Sequence, residues 1–137
     1  MDNSLLAAEY LLRARRTFKE AKIAFDDGDL YYVVIRILDT IQNLSKTLLV
    51  FDNKYDFNLY WNASMLSLND EIEKSLFEFE LRLMPMILLN ESSLKTPSVI
   101  IRNKEAEILL EEIGKILEKV EQRYDEYHSW FRLLYMF

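Results

Sequence analysis

The sequence contains no cysteine and a single histidine, and it is poor in glycine and proline. Without cysteine there can be no disulfide, no thiolate-bound zinc and no cysteine nucleophile, and one histidine excludes any site that needs two imidazoles. The chain has two glycines and two prolines in 137 residues, whereas average usage would supply about nine and seven. Because the turns of β-rich folds depend on these two residue types, the composition disfavours an all-β fold.

Long apolar runs and an excess of positive charge are also missing. The longest apolar run, Leu83 to Leu89, has seven residues and contains Pro85, so it is too short to cross a membrane. The N-terminal segment lacks the basic and then apolar pattern of a secretory signal. With 17 basic and 23 acidic residues the net charge is -6, which disfavours a broad contact with nucleic acid or anionic lipid. We therefore expect a soluble, cytoplasmic protein without membrane contact.

The sequence does contain enough apolar material for one core. Half of the residues are hydrophobic, and the length corresponds to one ordinary domain. We therefore expect a single domain over residues 1–137. The sequence shows no internal repeat, no low-complexity stretch and no glycine-rich phosphate loop.

Helical periodicity organises the first part of the chain. Apolar residues recur every three or four positions as far as Phe25, which predicts an amphipathic helix that begins near Asn3 or Ser4. Gly28 then supplies a left-handed turn, and Asp29 can cap a second helix. Two long helices joined by so short a turn lie antiparallel, as a helical hairpin. The second helix has an unbroken apolar stripe of Leu30, Val34, Ile37, Ile41, Leu44, Leu48 and Phe51.

The second half of the chain begins with a loop and a third helix. Residues 52–67 lose the periodicity and are rich in Asn, Asp and Tyr, so they are interpreted as a loop with one short helical turn near residues 59–63. Asn69 and Asp70 form a favourable helix start. The stripe that follows reaches Pro85, where proline should kink or end the helix because it lacks an amide donor and clashes with the preceding turn.

A fourth helix follows a second loop at residues 90–98. It begins at Thr96-Pro97 or at Asn103, and its apolar stripe continues it to about His128. Together the four segments predict an all-α, antiparallel up-down four-helix bundle. Residues 130–137 are apolar on every side, which predicts a subunit interface and hence a homodimer.

The single histidine has an arginine five residues before it. Arg123 and His128 could cleave RNA without a metal, because an imidazole can take the proton of the 2'-hydroxyl and a guanidinium can stabilise the charge that develops on the phosphate. A five-residue step on a regular helix separates the two side chains by about 140°. Such a site therefore needs a break in the helix or a second subunit.

The remaining charged clusters are interpreted as solvated helix faces. The glutamates of the last helix could ligate a metal, but such a run is more often exposed to water. The one basic cluster lies on the first helix and could hold phosphates, although acidic residues interrupt it. Neither a metal nor a cofactor is expected. The members of the basic cluster are Arg13, Arg15, Arg16, Lys19 and Lys22.

The first hairpin combines an Ala-rich basic first helix with the segments Asp26-Asp27-Gly28-Asp29, Tyr31-Tyr32 and Ser45-Lys46-Thr47-Leu48-Leu49. In these features residues 10–51 resemble HEPN domains, and residues 104–121 are similar to the last helix of that family. The resemblance implies an antiparallel bundle, usually dimeric, which in many members is a metal-independent ribonuclease with an Arg-x4-to-6-His motif at the dimer cleft. Other members lack the motif and bind nucleotides or proteins.

The family motif points to two alternative sites and two functions. Its usual place is the start of the last helix, where this sequence has Arg102 and Asn103 but Glu107 in place of the histidine. Arg123 and His128 have the spacing but lie far along that helix. One function is a toxin-type ribonuclease that acts on RNA through Arg123 and His128. The other is a non-catalytic interaction or nucleotide-binding module, partnered by a nucleotidyltransferase, in which Arg102, Asn103 and the aromatic tail bind.

Overall fold

The computed structural model describes the backbone of residues 3–92 and 101–136, and the side chains of residues 3–88 and 101–128. No strand occurs in these ranges, and the prediction of an all-α fold is confirmed. The elements are helices α1 (Asn3–Asp26), α2 (Leu30–Phe51), α3 (Glu71–Ser92) and α4 (Asn103–Met136), with one turn of 3-10 helix at Ala63–Met65.

Helix α2 lies at the centre and packs against each of the other three helices. Its predicted apolar stripe is buried from Val34 to Leu48, and Ile41 is fully buried. Tyr32 is the one exposed residue of this helix. The buried hydroxyl groups at positions 40, 45 and 47 donate to backbone carbonyls one turn earlier. A helix surrounded by other helices can therefore carry polar residues without leaving their hydroxyls unpaired.

The turn between α1 and α2 is formed as the sequence predicts. Gly28 has a φ of 76°, in the left-handed region that glycine adopts without steric cost. The carboxylate of Asp29 accepts a hydrogen bond from the amide of Tyr32 at 3.1 Å and so caps α2. At the other end of the hairpin, the Asn3 side chain donates to the carbonyl of Val50 at 3.1 Å. The start of α1 thus lies beside the end of α2.

The contacts between α4 and α1 include a close approach of the two helices and an ion pair. The ring of Phe18 lies against Gly114, where an added Cβ would be 3.1 Å from the ring. Arg15 donates two hydrogen bonds to the carboxylate of Glu121, at 2.9 and 2.8 Å. Glycine at position 114 therefore lets α1 and α4 approach each other closely at this point.

Two helices differ in length from the prediction. Helix α3 does not end at Pro85 but continues to Ser92. Pro85 is exposed, so water can bond the carbonyl of Leu81 that the missing amide leaves without a partner. Helix α4 begins at one of the two predicted starts and runs to Met136, eight residues beyond His128. Of the predicted loop at residues 90–98, residues 90–92 are helical and the rest lies outside the described residues.

The loop between α2 and α3 contains its helical turn at residues 63–65, four positions later than predicted. The turn packs against both α2 and α3. Its position follows from contacts with side chains that are distant in the sequence rather than from local periodicity.

Candidate functional site

Arg123, the cation of the predicted catalytic pair, binds a carboxylate at the start of α3. Its Nη2 atom lies 2.7 Å from Oδ2 of Asp70. The other carboxylate oxygen of Asp70 accepts the amide of Glu73 at 2.9 Å and thereby caps α3. Burial by itself would raise the pKa of Asp70, but the hydrogen bonds from the Glu73 amide and from Arg123 outweigh burial, so the pKa lies below its usual value. The guanidinium thus joins α4 to the N-terminus of α3.

The pocket beside Arg123 is acidic. It has a volume of about 170 Å³ and lies between the end of α2, the start of α3 and α4. Three carboxylates line it, those of Asp52, Asp70 and Glu73, against the single guanidinium. This excess of negative charge opposes the entry of an RNA phosphate.

His128, the predicted base, is held by two neighbouring side chains. Its Nδ1 lies 2.6 Å from the hydroxyl oxygen of Ser4, and its ring stacks on Tyr124 with the centroids 5.6 Å apart. A serine bonded to a histidine can be an activated nucleophile. Here, however, Ser4 is 1% exposed, so its hydroxyl cannot meet a substrate. The pair joins the start of α1 to α4.

The structure gives Arg123 and His128 partners on different helices. Arg123 contacts α3 and His128 contacts α1, as the separation of about 140° around a regular helix requires. Helix α4 is continuous over both positions, so the break that would turn the two side chains toward each other is not present. A site that uses both groups would have to be completed by a second subunit.

Arg102 and Asn103, the alternative site, lie at the opposite end of α4. Both residues are exposed. The Arg102 carbonyl accepts a hydrogen bond from the amide of Ala106 at 2.9 Å. The Arg102 side chain forms no ion pair with the described part of the chain. At 1.5 Å per residue, about 30 Å of helix separates Arg102 from Arg123. The structure therefore keeps the two predicted sites apart.

Sequence reasoning missed a buried polar cluster around Glu80. This residue is fully buried, and its carboxylate accepts four hydrogen bonds. The donors are the Gln42 side chain at 2.8 Å, the Ala63 amide at 3.1 Å, the Ser64 amide at 2.9 Å and the Ser64 hydroxyl at 2.7 Å. Four donors saturate the lone pairs of one carboxylate. The cluster therefore fixes the loop to α2 and α3 and leaves no oxygen free for a ligand.

One further residue, Asn62, extends this cluster. The Gln42 carbonyl accepts both the backbone and side-chain N–H groups of Asn62, at 2.9 and 2.8 Å. Within the described ranges no buried side-chain nitrogen or oxygen lacks a hydrogen-bond partner. A signal for the cluster was present in the sequence, because Glu80 lies four positions after Leu76 and three before Leu83 on the buried stripe of α3.

The predicted tail contact, residues 130–137, lies outside the residues whose side chains are described. Among those that are described, no group of three His, Asp or Glu side chains could hold a metal ion. None of the helices in the described ranges is long and apolar enough to span a bilayer.

Comparisons with known proteins were made at the level of family, sequence and fold. No protein-family model and no curated protein matches the sequence, and no solved structure matches the fold. The function is therefore argued from the side chains themselves.

Proposed function

We propose that the protein is a cytoplasmic, non-catalytic and dimeric interaction or nucleotide-binding module. The observation that carries this proposal is that both predicted catalytic side chains are engaged within the bundle. Arg123 is bonded to Asp70, and His128 to Ser4. The phosphate-binding cation must be available to the phosphate, and it must face the same cleft as the imidazole that takes the proton. Arg123 and His128 instead join α4 to α3 and to α1.

The fold we propose for this module is an antiparallel up-down four-helix bundle of the HEPN type. Contacts between helix ends support it. Asn3 at the start of α1 lies beside Val50 at the end of α2. Asp70 at the start of α3 lies beside Arg123 in the second half of α4. These pairs are the ones expected when each helix runs opposite to the one before it.

The binding residues in this proposal are Arg102, Asn103 and the apolar tail. Arg102 has no carboxylate partner in the described part of the chain, so its guanidinium is available to a carboxylate of a protein partner or to a nucleotide phosphate. The tail, residues 130–137, begins about 40 Å further along α4. One helix can therefore serve a partner at its first residues and a second copy of the chain at its last.

An RNA cleavage assay separates this module from the ribonuclease. Unstructured RNA is incubated with the intact protein in EDTA, because the proposed cleavage would use the 2'-hydroxyl of the substrate and no metal. The module predicts no cleavage above that of the buffer. A ribonuclease would leave a cyclic phosphate, and His128→Ala would reduce its rate by about a hundredfold or more. Cleavage with that dependence on His128 would refute the proposal.

A binding assay tests the assigned surface. The probes are ATP and a nucleotidyltransferase from the same organism. We expect Arg102→Ala to weaken binding of one probe about tenfold or more, as the loss of a charge-assisted hydrogen bond would. Lys104→Ala is the matched control, because Lys104 is an exposed cation two positions away. Equal affinities of the two variants for both probes would show that Arg102 is not part of the binding site.

A further inference from the structure

The outer face of α1 and α2 holds a lysine between two aromatic rings. The Lys46 ammonium nitrogen lies 5.4 Å from the centre of the Tyr10 ring and 5.8 Å from that of Phe57. The two rings contact each other edge to face, with centroids 5.1 Å apart. Lys46 is half-buried and forms no hydrogen bond or ion pair with the described part of the chain. Its nitrogen is thus held in position by ring contacts, with no carboxylate attached.

A second cation shares the Tyr10 ring. The guanidinium carbon of Arg13 lies 5.4 Å from the same ring centre. Arg13 is also paired with Glu9 at 3.0 Å, but both side chains are more than half exposed. Such a surface pair contributes little free energy, so an anion of higher charge can displace Glu9. Two cations, of which one lacks a counter-ion in the described part of the chain, therefore contact the same aromatic ring.

Two features of the surroundings lower the pKa of Lys46. Burial, and then the charge of Arg13, lower its pKa, while Asp39 on the same helix acts in the opposite direction. The rings of Tyr10 and Phe57 stabilise the ammonium form and also oppose the shift. A lysine that is partly desolvated beside another cation is a pattern found in amines that act as nucleophiles.

We propose that Lys46 is an acylation site that reacts with small acyl phosphates, and that Arg13 orients the phosphate of the reagent. The neutral amine nitrogen attacks the carbonyl carbon, and a carbon–nitrogen bond forms. The bond from that carbon to the phosphate oxygen breaks, and phosphate leaves with the electron pair. The proton that the nitrogen loses is taken up by the phosphate. The products are an acyl-lysine and inorganic phosphate.

The surroundings of Lys46 can also accommodate the acyl-lysine that the reaction forms. The amide of an acyl-lysine is neutral, so it removes the repulsion between position 46 and Arg13. Its acyl group can pack on the aromatic surface of Tyr10 and Phe57. The proposal goes beyond the interaction module, since it requires neither a partner nor a second subunit.

The experiment treats the intact protein with acetyl phosphate and follows each lysine by mass spectrometry. We expect Lys46 to be acetylated at least about threefold faster than the median of the other lysines, because a larger share of its amine is neutral at a given pH. The compared lysines are described and form neither a hydrogen bond to a side chain nor a contact with an aromatic ring: Lys19, Lys74, Lys104 and Lys119. A rate at or below their median would overturn the proposal.

Arg13→Ala tests the role of the guanidinium. We expect this variant to slow acetylation of Lys46 by acetyl phosphate at least about fivefold, as expected for the loss of a charge-assisted contact to phosphate. Acetic anhydride carries no phosphate, so the rate at which it acetylates Lys46 should fall less in this variant. Arg16→Ala, an exposed arginine on the same helix, should leave both reactions unchanged. An equal loss with the two reagents would refute phosphate recognition by Arg13.

Discussion

Glu80 and Arg123 are charged side chains that each connect separate elements, and the two places differ in exposure. Glu80 connects α3 to α2 and to the loop, and it is fully buried. Arg123 connects α4 to α3 through Asp70, and the two side chains are 34% and 39% exposed. Water can replace a lost hydrogen-bond partner at the exposed Arg123–Asp70 pair but not at the buried Glu80. Removal of Glu80 should therefore destabilise the protein more.

The first prediction concerns Glu80→Gln. The substitution replaces one accepting oxygen by an NH2 group that faces other donors, so at least one buried N–H or O–H loses its partner. We expect the free energy of unfolding to fall by about 2 kcal/mol or more. Urea unfolding followed by circular dichroism measures it. Glu78→Gln is the control on the exposed face of α3 and should change the value by less than about 0.5 kcal/mol. Similar values for the two variants would contradict the prediction.

The second prediction concerns pH and Asp70. Because its pKa is lowered in the folded protein, the carboxylate stabilises the fold above the usual aspartate pKa of 3.8, and this stability is lost as the pH falls through the lower folded value. Asp70→Asn keeps an acceptor for the α3 cap but removes the charge. It should cost about 0.5 kcal/mol near neutral pH and progressively less in acid.

Urea unfolding at several pH values between neutral and acid tests this pH dependence. Asp56→Asn, at an exposed loop position, provides the control for a general loss of negative charge. A difference between wild type and Asp70→Asn that stays constant over the pH range would show that the ion pair with Arg123 is not its source.

At the scale of helices, those with local signals could be predicted from the sequence. For α1 and α2 the spacing of apolar residues, the left-handed Gly28 and the cap at Asp29 all lie within a few positions of the feature they determine. The passage of α3 through Pro85 could not be predicted in this way. It depends on whether the carbonyl of Leu81 faces water or protein, which tertiary packing decides.

The contacts of the candidate site residues could not be predicted from the sequence either. The spacing in the sequence singled out Arg123 and His128, but their partners Asp70 and Ser4 are 53 and 124 positions away. Spacing along a helix gives the angle between two side chains and does not give the residue that each one meets. The residues that a histidine contacts in the folded protein determine whether it can act as a base or instead connects two helices.

The third prediction concerns Pro85→Ala. Proline inside a helix costs about 3 kcal/mol relative to alanine, and Pro85 is exposed, so its removal creates no cavity. Alanine restores an amide that can bond the carbonyl of Leu81. We expect the free energy of unfolding to rise by at least about 1 kcal/mol, measured by urea unfolding. Lys74→Ala, at another exposed position of α3, should have a much smaller effect, and a Pro85→Ala variant no more stable than this control would contradict the prediction.

At the scale of the whole molecule, α4 is much longer than the helices it packs against. Its 34 residues span about 51 Å, and the 24 residues of α1 about 36 Å. Ser4, near the start of α1, lies beside His128, so α4 continues for eight residues, or about 12 Å, beyond that contact. This extension carries most of the apolar tail for which a second copy is proposed.

The fourth prediction tests that contact. Light scattering of the intact chain at tens of micromolar should give about twice the monomer mass of 16.4 kDa. Removal of residues 129–137 should yield monomers or aggregates, because the apolar surface that pairs two copies is lost or altered. Circular dichroism of the shortened chain shows whether the helices persist. A monomeric mass for the intact chain would end the proposal of a homodimer.

The amide hydrogens of Ala63 and Ser64 are expected to exchange with solvent slowly, although both residues belong to a loop region. Each amide is bonded to the buried carboxylate of Glu80, so deuterium can enter only when the loop separates from α2 and α3. Exchange at these two positions should then report on large-scale opening of the bundle. Leu59 in the same loop is 79% exposed and should exchange through small local fluctuations. Deuterium uptake would therefore divide the loop into a fast part and a slow part that opens with the core.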